Sequence, residues 1–202
     1  MLRCMSETRK RVPAGAAVMQ PQVTAAITEA AFAELAEVGY GKLSMEAVAR
    51  RAGVSKPTLY RRWPAKEQLV IALITQVAVA AADTPDTGTL RGDLLAFLEI
   101  TLLGVSHPLA ARIIPDLFAE SMRNPALREA LQIGIGQSRR AKVAEMLRRA
   151  IARGELPAGL DLELALDFLV APMFWRSING GDLEAPGYLD RLVDMLIAAF
   201  HG

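Results

Sequence analysis

Apolar residues recur along this chain at intervals of three and four positions, which is the spacing of one face of an α-helix. Ahead of Gly39 the stripe consists of Ile27, Ala31, Phe32, Leu35 and Val38. No stretch sustains the period-two alternation of apolar and polar residues that marks a half-buried β-strand. The pattern therefore predicts an all-α fold of about nine helices and no sheet.

Glycine, proline and N-capping residues set the predicted helix boundaries. The predicted helices span about 24–38, 45–52, 56–62, 64–82, 90–105, 108–122, 125–153, 162–178 and 187–200. Gly134, Ile135 and Gly136 form a weak point inside the seventh helix. A phosphate-binding glycine loop would need a strand before it, so we expect close helix packing or a kink there instead.

The stretch from Ser44 to Trp63 predicts two short helices joined by a tight turn. Ser44 can cap the first helix, and Gly53 can adopt the left-handed backbone of the corner at little steric cost. Ser55 can cap the second helix, whose first turn tolerates Pro57. Leu59 is expected to face inward and hold the two helices together.

The second of these helices carries hydrogen-bond donors on its outward face, namely Lys56, Thr58, Tyr60, Arg61 and Arg62. Such groups can bind DNA phosphates or base edges. Ala49, four positions before the turn glycine, is small enough to let the helices approach, as a helix-turn-helix requires. Helix pairs with a glycine turn also occur in proteins that never bind nucleic acid, so the motif needs independent support.

The distribution of charge gives that support. Residues 1–66 hold 11 Lys and Arg against 5 Asp and Glu, a net charge of +6, whereas residues 67–202 hold 12 against 17, a net charge of −5. Neutralisation of phosphates supplies most non-specific DNA affinity. The basic first third therefore predicts a double-stranded DNA partner, with a chance fluctuation in surface charge as the alternative.

The segment from Thr24 to Leu69 resembles the DNA-binding domain of the TetR family of transcriptional regulators. The similarity lies in TAAITEAAFAELAEVGY, SMEAVARRAGVS and KPTLYRRWPAKEQL. It implies that residues 56–58 approach bases, whereas Tyr60, Arg62 and Lys66 hold phosphates. Arg61 and Arg62 stand where an aromatic residue and a histidine are frequent, and Trp63 replaces the usual Phe. The predicted DNA-binding residues are Thr24, Ser44, Ser55, Lys56, Pro57, Thr58, Tyr60, Arg61, Arg62 and Lys66.

Three regions are expected along the chain. Residues 1–22 are polar, without a helical period, and predict a mobile arm whose basic cluster Arg9–Arg11 either reaches a minor groove or stays solvated. Residues 23–66 form the predicted helix-turn-helix domain. Residues 67–202 form a helical domain that, by the resemblance, binds an effector and dimerises.

The two last predicted helices are unusually apolar, since Asp167 is the only charged residue between Leu164 and Trp175. A helix that is apolar nearly all round must be buried on two sides, either by a second copy of the chain or inside its own core. We favour the second copy, which is similar to the family's twofold four-helix interface. The predicted interface residues are Leu169, Met173, Phe174, Leu192 and Leu196.

The other expected partner is a small, largely apolar effector enclosed by helices four to seven. Methionine side chains adapt to ligands of irregular shape, and a hydroxyl can orient such a ligand. The candidate residues are Phe97, Ile100, Thr101, Phe118, Met122 and Met146, all of which could instead be ordinary core.

An enzyme is not expected, because the chain has two histidines, one cysteine and no Gly-x-Ser-x-Gly, His-Glu-x-x-His or Gly-x-Gly-x-x-Gly motif. We expect no cofactor and no metal. The lone Cys4 suits a reducing cytoplasm, and the apolar runs are shorter than the roughly 20 residues of a membrane span. The sequence therefore predicts a homodimeric cytoplasmic DNA-binding regulator, a repressor released by its effector rather than an activator or a dimer without a ligand.

Overall fold

The computed structural model describes residues 21–80 and 84–202, and every regular element within them is helical. The elements are α1 (Pro21–Lys42), α2 (Met45–Arg51), α3 (Lys56–Arg62), α4 (Lys66–Ala80), α5 (Leu90–Ser106), α6 (Pro108–Ser121), α7 (Pro125–Leu131), a π segment (Gln132–Gln137), α8 (Ser138–Ala152), α9 (Leu162–Ile178) and α10 (Tyr188–His201). The prediction of an all-α fold is confirmed. The predicted seventh helix is divided, so these residues form ten α-helices instead of about nine.

The division falls at the glycines that the sequence singled out. Gly134 and Gly136 lie in the π segment between α7 and α8, where each turn takes up more residues than in an α-helix. Glycine is a poor α-helix former, so a continuous α-helix is disfavoured at this point. The expected weak point is therefore a local change of helix type.

α1 differs from its predicted limits at both ends. It begins at Pro21 rather than Thr24, because the first turn of a helix tolerates proline. It also continues to Lys42 across Gly39, whose backbone is non-helical (φ 75°, ψ 168°). The break predicted at Gly39 therefore occurs, but one more turn follows it. Residues 1–20 of the predicted arm, with Arg9–Arg11, lie outside the described residues, as does the predicted end of the fourth helix.

Buried side chains form two hydrophobic clusters, which we call the first core and the second core. The first core joins α1–α4 with α6 and α7, and the second joins α5, α8, α9 and α10. α6 and α7 contribute Ile113, Leu117 and Leu127 to the first core. The predicted domain boundary after Lys66 lies at the start of α4, which buries Leu69 in that same core. The first four helices thus share a core with helices from much later in the chain, and α1 packs directly on α6.

α5 and α6 meet at a sharp bend. His107 stands between them, and its Nδ1 accepts a 3.3 Å hydrogen bond from the backbone N–H of Leu109, while Pro108 begins α6. The break predicted between the helices at 90–105 and 108–122 is confirmed. No described helix is by itself long and apolar enough to cross a membrane, and α5 and α6 meet that criterion only as a pair, across an 87° bend.

Candidate nucleic-acid interface

Serine side chains cap both helices of the helix-turn-helix, as predicted. Ser44 Oγ accepts a 3.4 Å hydrogen bond from the backbone N–H of Ala47, and Ser55 Oγ accepts one of 3.4 Å from that of Thr58. The hydroxyls of Ser55 and Thr58 also lie 2.8 Å apart. Each cap satisfies a free N–H at the start of its helix, so the first turns of α2 and α3 are held in place.

The corner between α2 and α3 is closed by backbone geometry. Gly53 adopts φ 66°, the left-handed region that favours glycine. The next residue, Val54, donates its backbone N–H to the carbonyl of Ala49 at 3.0 Å. Leu59 is fully buried in the first core, together with Ala49. The inward side of α3 is therefore fixed, which leaves its other side chains to face outward.

α3 is exposed over most of its surface. Lys56, Pro57, Tyr60, Arg61 and Arg62 are exposed and Thr58 is half-buried, whereas Leu59 is the one buried residue of this helix. A helix with exposed donors fits the major groove of B-DNA, where base edges can be read. The structure thus brings the predicted base-contacting residues together on one accessible helix.

The acidic side chain of Glu46 lies in the middle of these cationic and polar groups, and the sequence reasoning missed it. Its carboxylate accepts hydrogen bonds from Ser44 Oγ (3.1 Å) and Tyr60 Oη (3.2 Å) and lies 3.6 Å from Lys56 Nζ. The backbone N–H of Glu46 and these two hydroxyls hold the pKa of its carboxyl below the ordinary value. An acidic residue in the first turn of a helix is favourable for the helix itself. In the sequence, Glu46 therefore looks like an ordinary first-turn residue, and its contacts with Tyr60 and Lys56 could not be predicted.

Thr24 has a different position from the one predicted. It lies inside α1 instead of capping it, and its Oγ1 accepts a 2.9 Å hydrogen bond from Arg62 Nη1. The Arg62 guanidinium also lies over the Trp63 ring, 4.8 Å from the ring centroid. The departures from the family pattern at positions 62 and 63 therefore contact each other.

Lys66 is directed at the end of α1. Its Nζ donates to the carbonyl of Tyr40 at 3.0 Å and to that of Gly41 at 3.4 Å, and it lies 4.5 Å from the centroid of the Tyr40 ring. Tyr40 Oη donates to Glu67 Oε1 at 3.1 Å. Burial, followed by the nearby Glu67 carboxylate, raises the pKa of the Tyr40 hydroxyl. Lys66 thus joins α4 to α1 in addition to its predicted phosphate contact.

The six residues predicted to bind an effector differ in burial. Phe97, Thr101 and Met146 are buried, and Phe97 and Met146 belong to the second core. The other three, Ile100, Phe118 and Met122, are exposed. Phe118 contacts Phe174 with ring centroids 4.9 Å apart. Only Phe97, Thr101 and Met146 remain candidates for an interior ligand.

Four of the five residues predicted at a dimer interface lie inside their own subunit. Leu169, Met173, Leu192 and Leu196 are buried in the second core, and Phe174 is half-buried. A side chain already covered by its own chain offers little surface to a partner. The large apolar side chains that α9 and α10 expose are Leu164, Phe168, Val170, Trp175, Ile178 and Met195. An interface between copies would use this second set.

Two protein-family models match the chain. The model described as bacterial regulatory proteins, tetR family, matches residues 27–73, and the model described as tetracyclin repressor-like, C-terminal domain, matches residues 84–196. The first match includes α2 and α3 with their turn. The second begins after the described part of α4 and reaches into α10.

Individual proteins agree with these models. An uncharacterized HTH-type transcriptional regulator of Mycobacterium tuberculosis is 36% identical over 163 residues, which is 81% of this chain and 80% of the relative. The DNA-binding transcriptional repressor TetR of Mycobacteroides abscessus is 32% identical over 85% of this chain and 90% of its own length. The crystal structure of the regulator FadR from Bacillus subtilis in complex with stearoyl-CoA has the same fold, with a TM-score of 0.71 and 21% identity over 88% of this chain and all of that one.

Proposed function

Because the chain belongs to the TetR family of transcriptional regulators and carries that family's DNA-binding helix-turn-helix domain, we propose that it is a homodimeric repressor released from operator DNA by a small-molecule effector. The observation that carries the proposal is the exposed α3, whose cationic and polar side chains stand on a corner fixed by two serine caps and Gly53. Its DNA target would place the protein in the cytoplasm. Regulators of this family are generally not enzymes.

The proposed dimer rests on a stripe of exposed apolar residues. Leu164, Phe168, Trp175 and Ile178 follow one another on α9 at intervals of four, seven and three, so they share one face of that helix. On α10, Met195 is followed by the exposed Ala198 and Ala199. A contiguous exposed apolar surface marks an interaction site, and two copies related by a twofold axis would cover it.

The proposed effector response needs a connection between the two cores. α4 begins beside Tyr40 in the first core and packs against α7 and the π segment, which leads into α8 of the second core. α6 forms another connection, because it packs on α1. A ligand that binds one arrangement of these helices more tightly than the other would shift the DNA-binding heads.

Two relatives support the finer parts of the proposal. The Mycobacteroides abscessus protein is named a repressor, and the FadR structure holds stearoyl-CoA in the same fold. Both observations concern those proteins, and we carry them to this chain as expectations of repression and of an effector with a large apolar part.

Selection from a library of random DNA duplexes, followed by footprinting, tests the proposal. We expect a pseudo-palindrome whose half-sites are centred one helical turn, about 34–36 Å, or a multiple of it apart. Arg61→Ala should weaken binding, because Arg61 is exposed on α3, whereas Arg148→Ala on the exposed side of α8 should not. Protection of a single half-site by a monomer would contradict the proposed assembly. Equal effects of the two substitutions would contradict the proposed surface.

A further inference from the structure

Arg139, in the first turn of α8, is a half-buried cation without an acidic partner among the described residues. Its Nη2 donates a 2.7 Å hydrogen bond to Thr101 Oγ1, and its guanidinium lies 5.5 Å from the centroid of the Phe97 ring. Thr101 is itself buried and donates its hydroxyl to the carbonyl of Phe97 at 2.8 Å. Among the described residues, the guanidinium of Arg139 therefore contacts a neutral hydroxyl and an aromatic face.

Arg140 and Arg153, by contrast, have carboxylate partners. The next residue, Arg140, is bound by Glu163 and by Asp167, whose Oδ1 lies 2.6 Å from it, and Arg153 is bound by Asp93 and Glu155 at 3.1 Å. Carboxylates raise the pKa of these two guanidinium groups, whereas burial alone lowers that of Arg139. Arg139 thus loses solvation without gaining a counter-charge.

Such an arrangement costs folding free energy. A charge partly taken out of water destabilises a protein unless it is paired, and one neutral hydrogen bond leaves most of the five guanidinium N–H donors available to water or a ligand. Thr101 does not need Arg139, because its hydroxyl already has an acceptor in the Phe97 carbonyl. Residues that destabilise a fold in this way are often retained because they bind something.

We propose that Arg139 anchors the effector, and that the effector carries a carboxylate or phosphate group on an apolar body. The inference deepens the proposed function and rests on its effector-binding part. The guanidinium can hold either anion through two parallel hydrogen bonds, and Phe97, as part of the second core, supplies an apolar surface beside the charge. The largely apolar effector expected from the sequence thus becomes an amphipathic acid.

The position of Arg139 also suits transmission of the signal. It follows the π segment by two residues, and that segment packs against α4 on one side and continues into α8 on the other. π segments are frequent at functional sites. An anion that pulls on Arg139 would act on the first turn of α8, on the π segment, and through it on the helix that begins at the DNA-binding domain.

The first arm of the test measures stability without any ligand. Arg139→Met keeps the unbranched stem and removes the charge, and Arg148→Met removes a charge from the exposed side of the same helix, where Arg148 lies 3.4 Å from Glu145. At equal protein concentration, Arg139→Met should raise the melting temperature by about 2–4 °C, whereas Arg148→Met should leave it nearly unchanged. A lower melting temperature for Arg139→Met would show that the contacts of Arg139 with Thr101 and Phe97 stabilise the fold, and it would overturn the proposal.

The second arm uses matched probes with the full-length protein. Decanoate, decyl phosphate and 1-decanol share one apolar chain, and 4-butylbenzoate and 4-butylbenzyl alcohol form an aromatic pair. At least one acid should raise the melting temperature of the wild type and release DNA, with the alcohol of the same body clearly weaker. Comparison of the responses to decanoate and decyl phosphate shows whether the site prefers a carboxylate or a phosphate. In Arg139→Met the affinity for the acid should fall roughly tenfold to a hundredfold, to that of the alcohol.

The outcomes separate this inference from the proposed function. Equal responses to acids and alcohols, or an undiminished acid response in Arg139→Met, overturn the anionic anchor while DNA binding stands. A protein that binds its operator but responds to none of the probes would likewise overturn the anionic anchor while DNA binding stands. If the wild type binds no DNA duplex but an acid still raises its melting temperature through Arg139, the anchor stands and the regulatory function fails.

Discussion

The backbone N–H of Tyr40 donates a 2.7 Å hydrogen bond to Oδ2 of Asp116, which joins the last turn of α1 to α6 across 76 positions of sequence. Gly39 makes this contact possible. Its left-handed backbone turns the chain toward α6, and a Cβ atom at position 39 would lie 2.9 Å from Asp116 Oδ1. The carboxylate of Asp116 therefore fixes α1, which packs against α2 of the helix-turn-helix, to α6.

Removal of this carboxylate should loosen the joint. Asp116→Ala is expected to lower the free energy of unfolding by about 1.5–3 kcal/mol, the usual range for a hydrogen bond to a charged group. Asp116→Asn keeps an oxygen acceptor and should lose less. Urea unfolding of the wild type and both variants measures the difference, and stabilities of both variants equal to that of the wild type would show that the acceptor at position 116 contributes nothing.

Glu46 is expected to restrain DNA binding. Its carboxylate repels phosphates and engages Tyr60 and Lys56, so Glu46→Gln should modestly strengthen binding to all sequences, because an exposed ion pair contributes little. Titration by fluorescence anisotropy at several salt concentrations measures this effect. Glu145→Gln on α8 removes an equivalent charge far from α3 and serves as the control; tighter binding by both variants would reflect net charge alone.

Lys66 should report on two roles at once. If it holds a phosphate, Lys66→Ala weakens binding on every sequence and lowers the salt slope by about one unit. Because Lys66 also binds the carbonyls of Tyr40 and Gly41, the variant should lose stability as well. An unchanged salt slope together with a lower melting temperature would assign Lys66 to the end of α1 alone.

The proposed dimer can be disrupted without damage to the fold. Trp175 on α9 is 67% exposed and Met195 on α10 is 71% exposed, so Trp175→Glu with Met195→Glu should give a folded monomer with much weaker operator binding. Leu103→Glu on α5, at a side chain that is 76% exposed, is the matched control. Light scattering after size-exclusion chromatography measures the mass, and a dimer of unchanged affinity in the double variant would exclude this face.

Local signals in the sequence were sufficient for most of the fold. Ser44 and Ser55 cap their helices as predicted, and Asn124 and Asp161 cap the helices predicted to start at 125 and 162, because a cap depends on neighbours within three or four positions. The start of α1 was wrong by three residues, since Thr24 could serve as a cap in sequence terms but Pro21 extends the helix. Helix boundaries are therefore hard to predict where two nearby residues, such as Pro21 and Thr24, can each begin the helix.

Contacts between distant residues could not be predicted in the same way. Nothing in the local pattern around Asp116 indicates Tyr40 as its partner, and nothing around Arg139 indicates Thr101. For α9 the apolar composition identified the helix, but Phe168 and Leu169 are both apolar and only the packing shows which of them is exposed. Side-chain orientation on a helix that is apolar on all sides follows from its neighbours.

The presence of α6 and α7 in the first core limits how this regulator can be recombined. A chimera that joins its residues 1–80 to the later helices of another regulator would place foreign side chains where Ile113, Leu117 and Leu127 now pack. The graft would also lack the carboxylate that receives the Tyr40 N–H unless the acceptor scaffold supplied one. A transplantable reading head of this protein therefore consists of two separate stretches of chain, and exchange of DNA specificity by a single crossover would require α6 and α7 to be redesigned with it.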